Sequence, residues 1–413
     1  MSILLSSTVE ESFHNKLPFN DSVFLPMENV IQNYPWGSKS SLTDLFDIEN
    51  PNGEPQAEMW MGSHPNGCSI ISVNGVKQGL ASVISSNPSA MLGERAIAQS
   101  AGLPFLFKVL CAEKALSIQV HPSKQRAQLG FEQEERNGTP LNASNRNYKD
   151  PNHKPELVYA LTPYTAMNGF RSIAKIIQLF EQLGSKALKS LVDDLAKSPN
   201  PHGLSTFFKQ LLSLDGEEKN SAIHDLMMFV ENGESSLSSL IGELTRQYPN
   251  DIGLFAPLIL NVLTLEPGEA MYLDAETPHA YIKGTGLEIM ANSDNVLRAG
   301  LTNKHMDVEE LASNTRFVET PFDSLLLRPH YDQGALNYAV PVADFKFSIL
   351  ISPRERQMKV ESAEILFAID APVYLQHQNG EMCCIEKGRS VFIPALSEIY
   401  NITSIGRIAR AYY

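Results

Sequence analysis

"LEPGEAMYLDAETPHAYI", residues 265–282, decides how the rest of the chain is read. An apolar run ends at Leu265, "EPGE" makes a turn, "AMYLD" alternates, and "ETP" interrupts before "HAYI" resumes. The order strand, glycine turn, strand, loop, strand is that of an antiparallel β unit. Residues 385–402, "IEKGRSVFIPALSEIYNI", align with it without gaps, placing Glu266 against Glu386, Gly268 against Gly388 and Ala275 against Ala395. In the second copy Ile399 stands where the first has His279. The repeat predicts two related β-barrels, with polar chemistry in the first alone.

Working outward, "LPFLFKVL" (103–110) and "ALSIQVHP" (115–122) read as strands upstream, and "FKFSILI", "EILFAI", "VYLQH" and "SVFIP" as strands downstream. Short strands at regular spacing with turn signals between them point to sandwich or barrel domains. Residues 172–248 break the pattern. Ile173, Ile176, Ile177, Phe180 and Leu183 lie on one helical stripe, and Leu188, Leu191, Val192 and Leu195 repeat it. "LSTFFKQLLSL" and "SAIHDLMMFVEN" add two more helices between Gly, Pro and Asn breakers. The expected organisation is an N-terminal extension (1–26), a β domain in two pieces (27–170 and 251–320) around an all-α module (171–250), and a second β domain without metal (321–413).

A chain of 413 residues is expected to form two or three domains. Its formal net charge of −14 argues against a surface that coats nucleic acid, although a few local cations can still hold a small anion. No apolar run approaches the ~20 residues needed to cross a bilayer. The first residues, "MSILLSSTVEESFHNK", lack the basic start and long apolar stretch of a secretory signal. Cys68, Cys111, Cys383 and Cys384 form no C-x-x-C motif, so a reducing compartment and a cytoplasmic protein are expected.

The polar residues that can do chemistry fall at strand spacing. In "SIQVHP", Ser117, Gln119 and His121 share one face, while Ile118 and Val120 face a core. "YKDPNHKPELVYAL" (148–161) is held extended by Pro151 and Pro155, which puts Lys154 and Glu156 on one face and His153 on the other. His279 follows Pro278. One amide, two imidazoles and one carboxylate converging from three strands would suit Zn²⁺ or another borderline divalent ion. The plainer alternatives stay open here: a histidine hydrogen-bonded in a core, and a solvated Lys-x-Glu pair. In "GLEIMANSDNVLRAGLTNKH" (286–305), Glu288, Asp294, Arg298 and Lys304 offer either turn chemistry or a ligand site. Lys108 and Lys124 join Arg298 and Lys304 as candidate phosphate-binding cations.

"YKDPNHKPE" and "HAYIKGTGLEIMANSDNVLRAGLTNK" resemble the two signature segments of type I mannose-6-phosphate isomerases. "YPWGSK", "AEMWMGSHP" and "LPFLFKVLCAEKALSIQVHPSK" are similar to other characteristic stretches of that family. The resemblance implies a mainly β fold with a helical insertion: two cupin-type β-barrel or jelly-roll domains plus the all-α module. It also implies zinc-dependent interconversion of mannose 6-phosphate and fructose 6-phosphate, with one Zn²⁺ per chain on Gln119, His121, Glu156 and His279. One departure is visible, Asn303 in "LTNK" where the family usually has proline.

Such a reaction moves a proton between C2 and C1 through a cis-enediol. Lys154 is the favoured base and Asp294 the other candidate, with Arg298 supplying fixed positive charge. Ser117, Lys108, Tyr281, Glu288, Lys304 and His153 are expected to meet the substrate. The expected partner is a small sugar phosphate, with neither nucleic acid nor membrane, and the expected state is a monomer. A non-catalytic sugar-phosphate-binding cupin is the alternative, and a two-His-carboxylate iron oxygenase a second rival.

Overall fold

The computed structural model describes residues 22–73, 75–94 and 102–413. Residues 1–21, most of the expected N-terminal extension, lie outside the described residues. Val23, Phe24 and Leu25 are buried, and the strand Leu25–Glu28 pairs with Ser390–Ile393 from the far end of the chain.

The described strands form sheets of ten, nine and four strands. The ten-stranded sheet is organised by one long strand, His279–Ala291. Its second half lies between Phe105–Ala112 and Glu156–Ala160, and its start pairs with Tyr164–Phe170 and Gln119–Val120. It serves four neighbours because the register shifts between Tyr281 and Lys283 and the chain turns at Gly284. Gly284 has φ 130°, and a Cβ there would sit 2.6 Å from the Pro163 carbonyl oxygen, so glycine is required.

The expected pair of cupin-type β-barrels or jelly rolls is not found. All three sheets are open: Leu260–Leu265 and Val30–Gln32 end the largest, His330–Asp332 and Val76–Gly79 the second, and Arg356–Lys359 and Met382–Ile385 the third. With its many helices, the fold is mixed α and β. Alternation and turn residues specify strands, but they do not specify partners, and closure is a property of partners. The second repeat copy shows this. Met382–Ile385 and Ile399–Thr403 enter the four-stranded sheet, whereas Ser390–Ile393 enters the nine-stranded one, between Glu364–Ala368 and Leu25–Glu28. The first copy stays within the ten-stranded sheet.

The main core fills the space between the two large sheets. Phe105, Phe107, Val109, Leu287 and Ile289 cluster with Phe347, Ile349, Phe367 and Phe392. Burial of each such side chain stabilises the fold by about 1.5–3 kcal/mol. A second core belongs to the helices Ile173–Leu183, Lys189–Lys197, Pro201–Leu212, Gly216–Glu231 and Ser236–Gln247. Ile173, Ile176, Phe180 and Leu183 are buried as the stripe requires. The helix starts are fixed by side chains that accept backbone N–H bonds: Ser172 from Lys175, Asn200 from His202 and Gly203, Ser235 from Ser238. Gly184, in the left-handed conformation, ends the first of these helices. Ile118, Val120 and Leu297 share this core, so the helical layer supports the back of the strands that carry Gln119 and Arg298. Among the described residues no helix is long and apolar enough to cross a membrane.

Candidate metal and sugar-phosphate site

The start of the His279–Ala291 strand is where the polar residues meet. His279 stands opposite Gln119 on one side and Asn168 on the other. Gln119 in turn stands opposite Arg298 on the short strand Leu297–Arg298. Ile118 and Val120 are buried on the far side, as strand alternation requires. His121 follows as Pro122 ends the strand. Glu156 opens its own strand between Leu273 and Met290.

His121, Glu156 and His279 are all buried, and each offers one ligand atom within 4.8 Å of the other two. His121 Nε2 is 3.2 Å from Glu156 Oε1, and His279 Nε2 is 3.6 Å from Glu156 Oε2. The two rings lie 5.0 Å apart between centroids. Both Nδ1 atoms face backbone carbonyls, His121 towards Asn295 at 2.7 Å and His279 towards Thr277 at 2.9 Å. A carbonyl can only accept, so each Nδ1 carries the hydrogen and each Nε2 of a neutral ring presents a lone pair inward. His121 Nε2 is buried without a hydrogen-bond partner.

The electrostatics agree with a cation site. Burial, reinforced by the Lys154 ammonium, lowers His121 to about 4. Burial likewise lowers His279, so both rings are neutral at ordinary pH. Burial alone would raise Glu156, but neighbouring positive charge, the Lys154 ammonium first, outweighs it and holds the carboxyl well below its usual range. Two neutral imidazoles and one carboxylate, with an orphaned ring nitrogen aimed between them, fit a divalent ion of zinc type. The donor set needs a cation more than it needs another hydrogen bond.

Around this triad the expected residues take distinct places. Lys154 Nζ is 3.1 Å from Glu156 Oε1. Tyr281, buried, donates its hydroxyl to Glu156 Oε2 at 2.6 Å. Ser117 accepts from Gln119 Nε2 at 3.4 Å. Lys108 and Glu288 are opposite one another on paired strands and bond at 2.9 Å, with Glu58 3.7 Å from the same ammonium. Burial opposes the charge on Lys108, yet the two carboxylates outweigh it and raise its pKa. Arg298 is half-buried and has no carboxylate partner among the described residues; burial lowers its pKa, though a guanidinium stays protonated. Burial and then repulsion from Arg298 and Lys149 lower exposed Lys304.

Asp294 is held by His64, whose Nε2 lies 3.4 Å from it. That hydrogen bond lowers the Asp294 pKa against the opposing effect of burial, which makes it a weak base. His153 points elsewhere and pairs with Asp344 at 3.0 Å. Both line a cavity of about 570 Å³ with Ser63, Lys124, Asn152 and Asn292, and none of the triad residues lines it.

Four residues near the site were not singled out from sequence: Glu58, His64, Lys149 and Asn295. For Glu58 a signal exists. "EMW" is an alternating strand, so Glu58 and Trp60 are co-facial, and Trp60 Nε1 donates to Glu58 Oε2 at 2.6 Å. Asn295 lies in a loop and carries no periodic signature.

Comparison with known proteins agrees with this geometry. Residues 24–173 match the model of the phosphomannose isomerase type I catalytic domain, and residues 176–260 that of the type I helical insertion domain. The mannose-6-phosphate isomerase of Salmonella typhimurium is 45% identical over 386 residues, covering 93% of this chain and 98% of that protein. The human mannose-6-phosphate isomerase is 33% identical over 383 residues, covering 84% and 88%. A solved zinc-bound mannose 6-phosphate isomerase superposes with a TM-score of 0.90 at 44% identity, covering 95% of this chain and 99% of that one. With likeness of this extent through both the catalytic and the helical parts, the chain belongs to the type I phosphomannose isomerase family.

Proposed function

We propose that this chain interconverts mannose 6-phosphate and fructose 6-phosphate, with one zinc ion per chain held by His121, Glu156 and His279 and by the amide oxygen of Gln119. The observation that carries the reading is the pair of buried Nε2 lone pairs facing the Glu156 carboxylate. The cross-strand pairing of Gln119 with His279 supports the amide as fourth ligand.

The reaction removes the C2 proton of the open-chain aldose, forms a cis-enediol and returns the proton at C1. Zinc, when bound, supplies Lewis-acid stabilisation of the oxygen charge that develops. Lys154 is assigned as the base, acting as the free amine that a zinc ion bound beside it would favour over the ammonium. Its side chain is 12% exposed and lies 3.1 Å from the Glu156 carboxylate, where it can carry a proton between C2 and C1 and trade it with solvent between turnovers. Tyr281 fixes one oxygen of Glu156 and thereby its direction. Arg298, next to Gln119 and without a carboxylate partner among the described residues, supplies permanent positive charge at the rim. Lys304 and Lys149 are within its electrostatic reach, and a phosphate dianion placed among the three would relieve their mutual repulsion.

The catalytic β part is assigned to 27–170 and 251–320 around the helices of 171–250, with 321–413 as a metal-free companion. The site is assigned to residues of one chain, so a monomer would suffice for it. All four cysteines are free, which supports a cytoplasmic setting.

The decisive experiment combines a metal assay with incorporation of solvent deuterium into mannose 6-phosphate. Stoichiometric zinc together with deuterium at C2 of the aldose is expected. Zinc without exchange would indicate a binding protein, and iron with oxygen consumption an oxygenase; either result overturns the reading.

A further inference from the structure

We infer that Asn295 is a positioning residue for the metal site: its side chain fixes the loop whose carbonyl orients His121. The inference rests on the zinc assignment above.

The two histidines obtain their orientation in different ways. His279 Nδ1 faces the carbonyl of Thr277, two residues before it in the same turn. His121 Nδ1 faces the Asn295 carbonyl, 174 residues along the chain. His279 is therefore aligned locally. His121 is aligned only as well as the loop between the strands His279–Ala291 and Leu297–Arg298 is held.

The Asn295 side chain holds that loop. It is wholly buried, and its hydrogen-bonding capacity is filled. Oδ1 accepts from the backbone N–H of Lys149 at 2.6 Å and of Asp150 at 3.3 Å. Nδ2 donates to the carbonyls of Asp150 at 2.7 Å and Asn152 at 2.8 Å, and to Asp150 Oδ1 at 3.3 Å. The Asp150 carboxylate closes the knot from the other side, accepting from Ser293 Oγ at 2.8 Å and from the Asp294 N–H at 2.7 Å. One amide thus ties the His121-orienting loop to the segment that continues into Lys154 and Glu156. Two of the three triad residues depend on one side chain that touches no metal.

Asn295→Asp keeps the shape and both accepted bonds, but replaces the three donated bonds with a charge facing two carbonyls and a carboxylate. In the full-length zinc-loaded enzyme, zinc release to a chelator should become roughly 10–100-fold easier. The visible band of the Co²⁺-substituted protein should shift as the His121 ring turns. Leu204→Ala, in the helical core, is the control: it lowers the melting temperature and leaves zinc release unchanged. Should Asn295→Asp not fold, Ser293→Ala loosens the same knot more gently and should accelerate release in the same direction. Zinc release matching that of the Leu204→Ala control, with an unshifted Co²⁺ band, would overturn the inference. A wild-type protein without zinc would instead mark failure of the functional assignment.

Discussion

Lys154 Nζ lies 3.1 Å from Glu156 Oε1, and both side chains are largely withdrawn from solvent. A lysine this close to a triad carboxylate is placed to take a proton from a sugar bound at the same centre. Lys154→Met should lower the exchange of the C2 proton by about 10²–10⁴-fold, the usual range for loss of a general base. Zinc content should stay at the wild-type level, because the lysine contributes no donor to the ion. Normal turnover in this variant would move the base role elsewhere. Asp294→Asn, which alters a carboxylate already held ionised by His64, should cost much less.

Lys108 is enclosed by two carboxylates of unequal standing. Glu288 bonds it at 2.9 Å across the strand pair, whereas Glu58 is 3.7 Å away and is also engaged by Trp60. Removing one partner of a buried ion pair destabilises by about 3–5 kcal/mol. Glu288→Gln should approach that range in urea denaturation, and Glu58→Gln should fall clearly below it. Equal effects would show that the lysine is shared evenly.

Much of the site was legible because its residues obey strand alternation. Gln119 and His121 are set two apart, as are Lys154 and Glu156, and a period of two survives whatever the sheet does next. The helices were legible for the same kind of reason, since the stripe from Ile173 to Leu183 names its own buried face. Closure was not legible. Leu25–Glu28 joins a sheet with Ser390–Ile393, and no local pattern at either end announces the other. Asn295 escaped notice because its role is written in six hydrogen bonds to other segments, none of them visible as spacing.

Arg298 should reveal itself through anions. It adjoins Gln119, has no carboxylate partner among the described residues, and stands within reach of Lys149 and Lys304. Arg298→Ala should raise KM for mannose 6-phosphate at least tenfold, about 1.4 kcal/mol of lost binding. It should also weaken competitive inhibition by inorganic phosphate to a similar degree. Arg298→Lys keeps the charge but not the planar fork, and should recover part of the loss. If phosphate inhibition were untouched while kcat fell, the guanidinium would act on the reacting oxygens rather than on the phosphate.

Metal removal should expose the histidines as an acid liability. In the metal-free protein His121 titrates near 4, lowered by burial, and His279 is lowered by burial too, whereas an unfolded histidine titrates near 6.5. Between about pH 6.5 and 4 the unfolded chain therefore binds protons that the folded one refuses. Stability is complete above the unfolded value and declines as pH falls through this window, by up to ~1.4 kcal/mol per pH unit for each ring. The melting temperature of the chelator-treated protein should thus fall as pH is lowered from 7.5 to 5. His121→Gln keeps a polar side chain and removes one titrating ring, so it should flatten the pH dependence of the metal-free melt. An unchanged slope in that variant would place the acid sensitivity outside the triad.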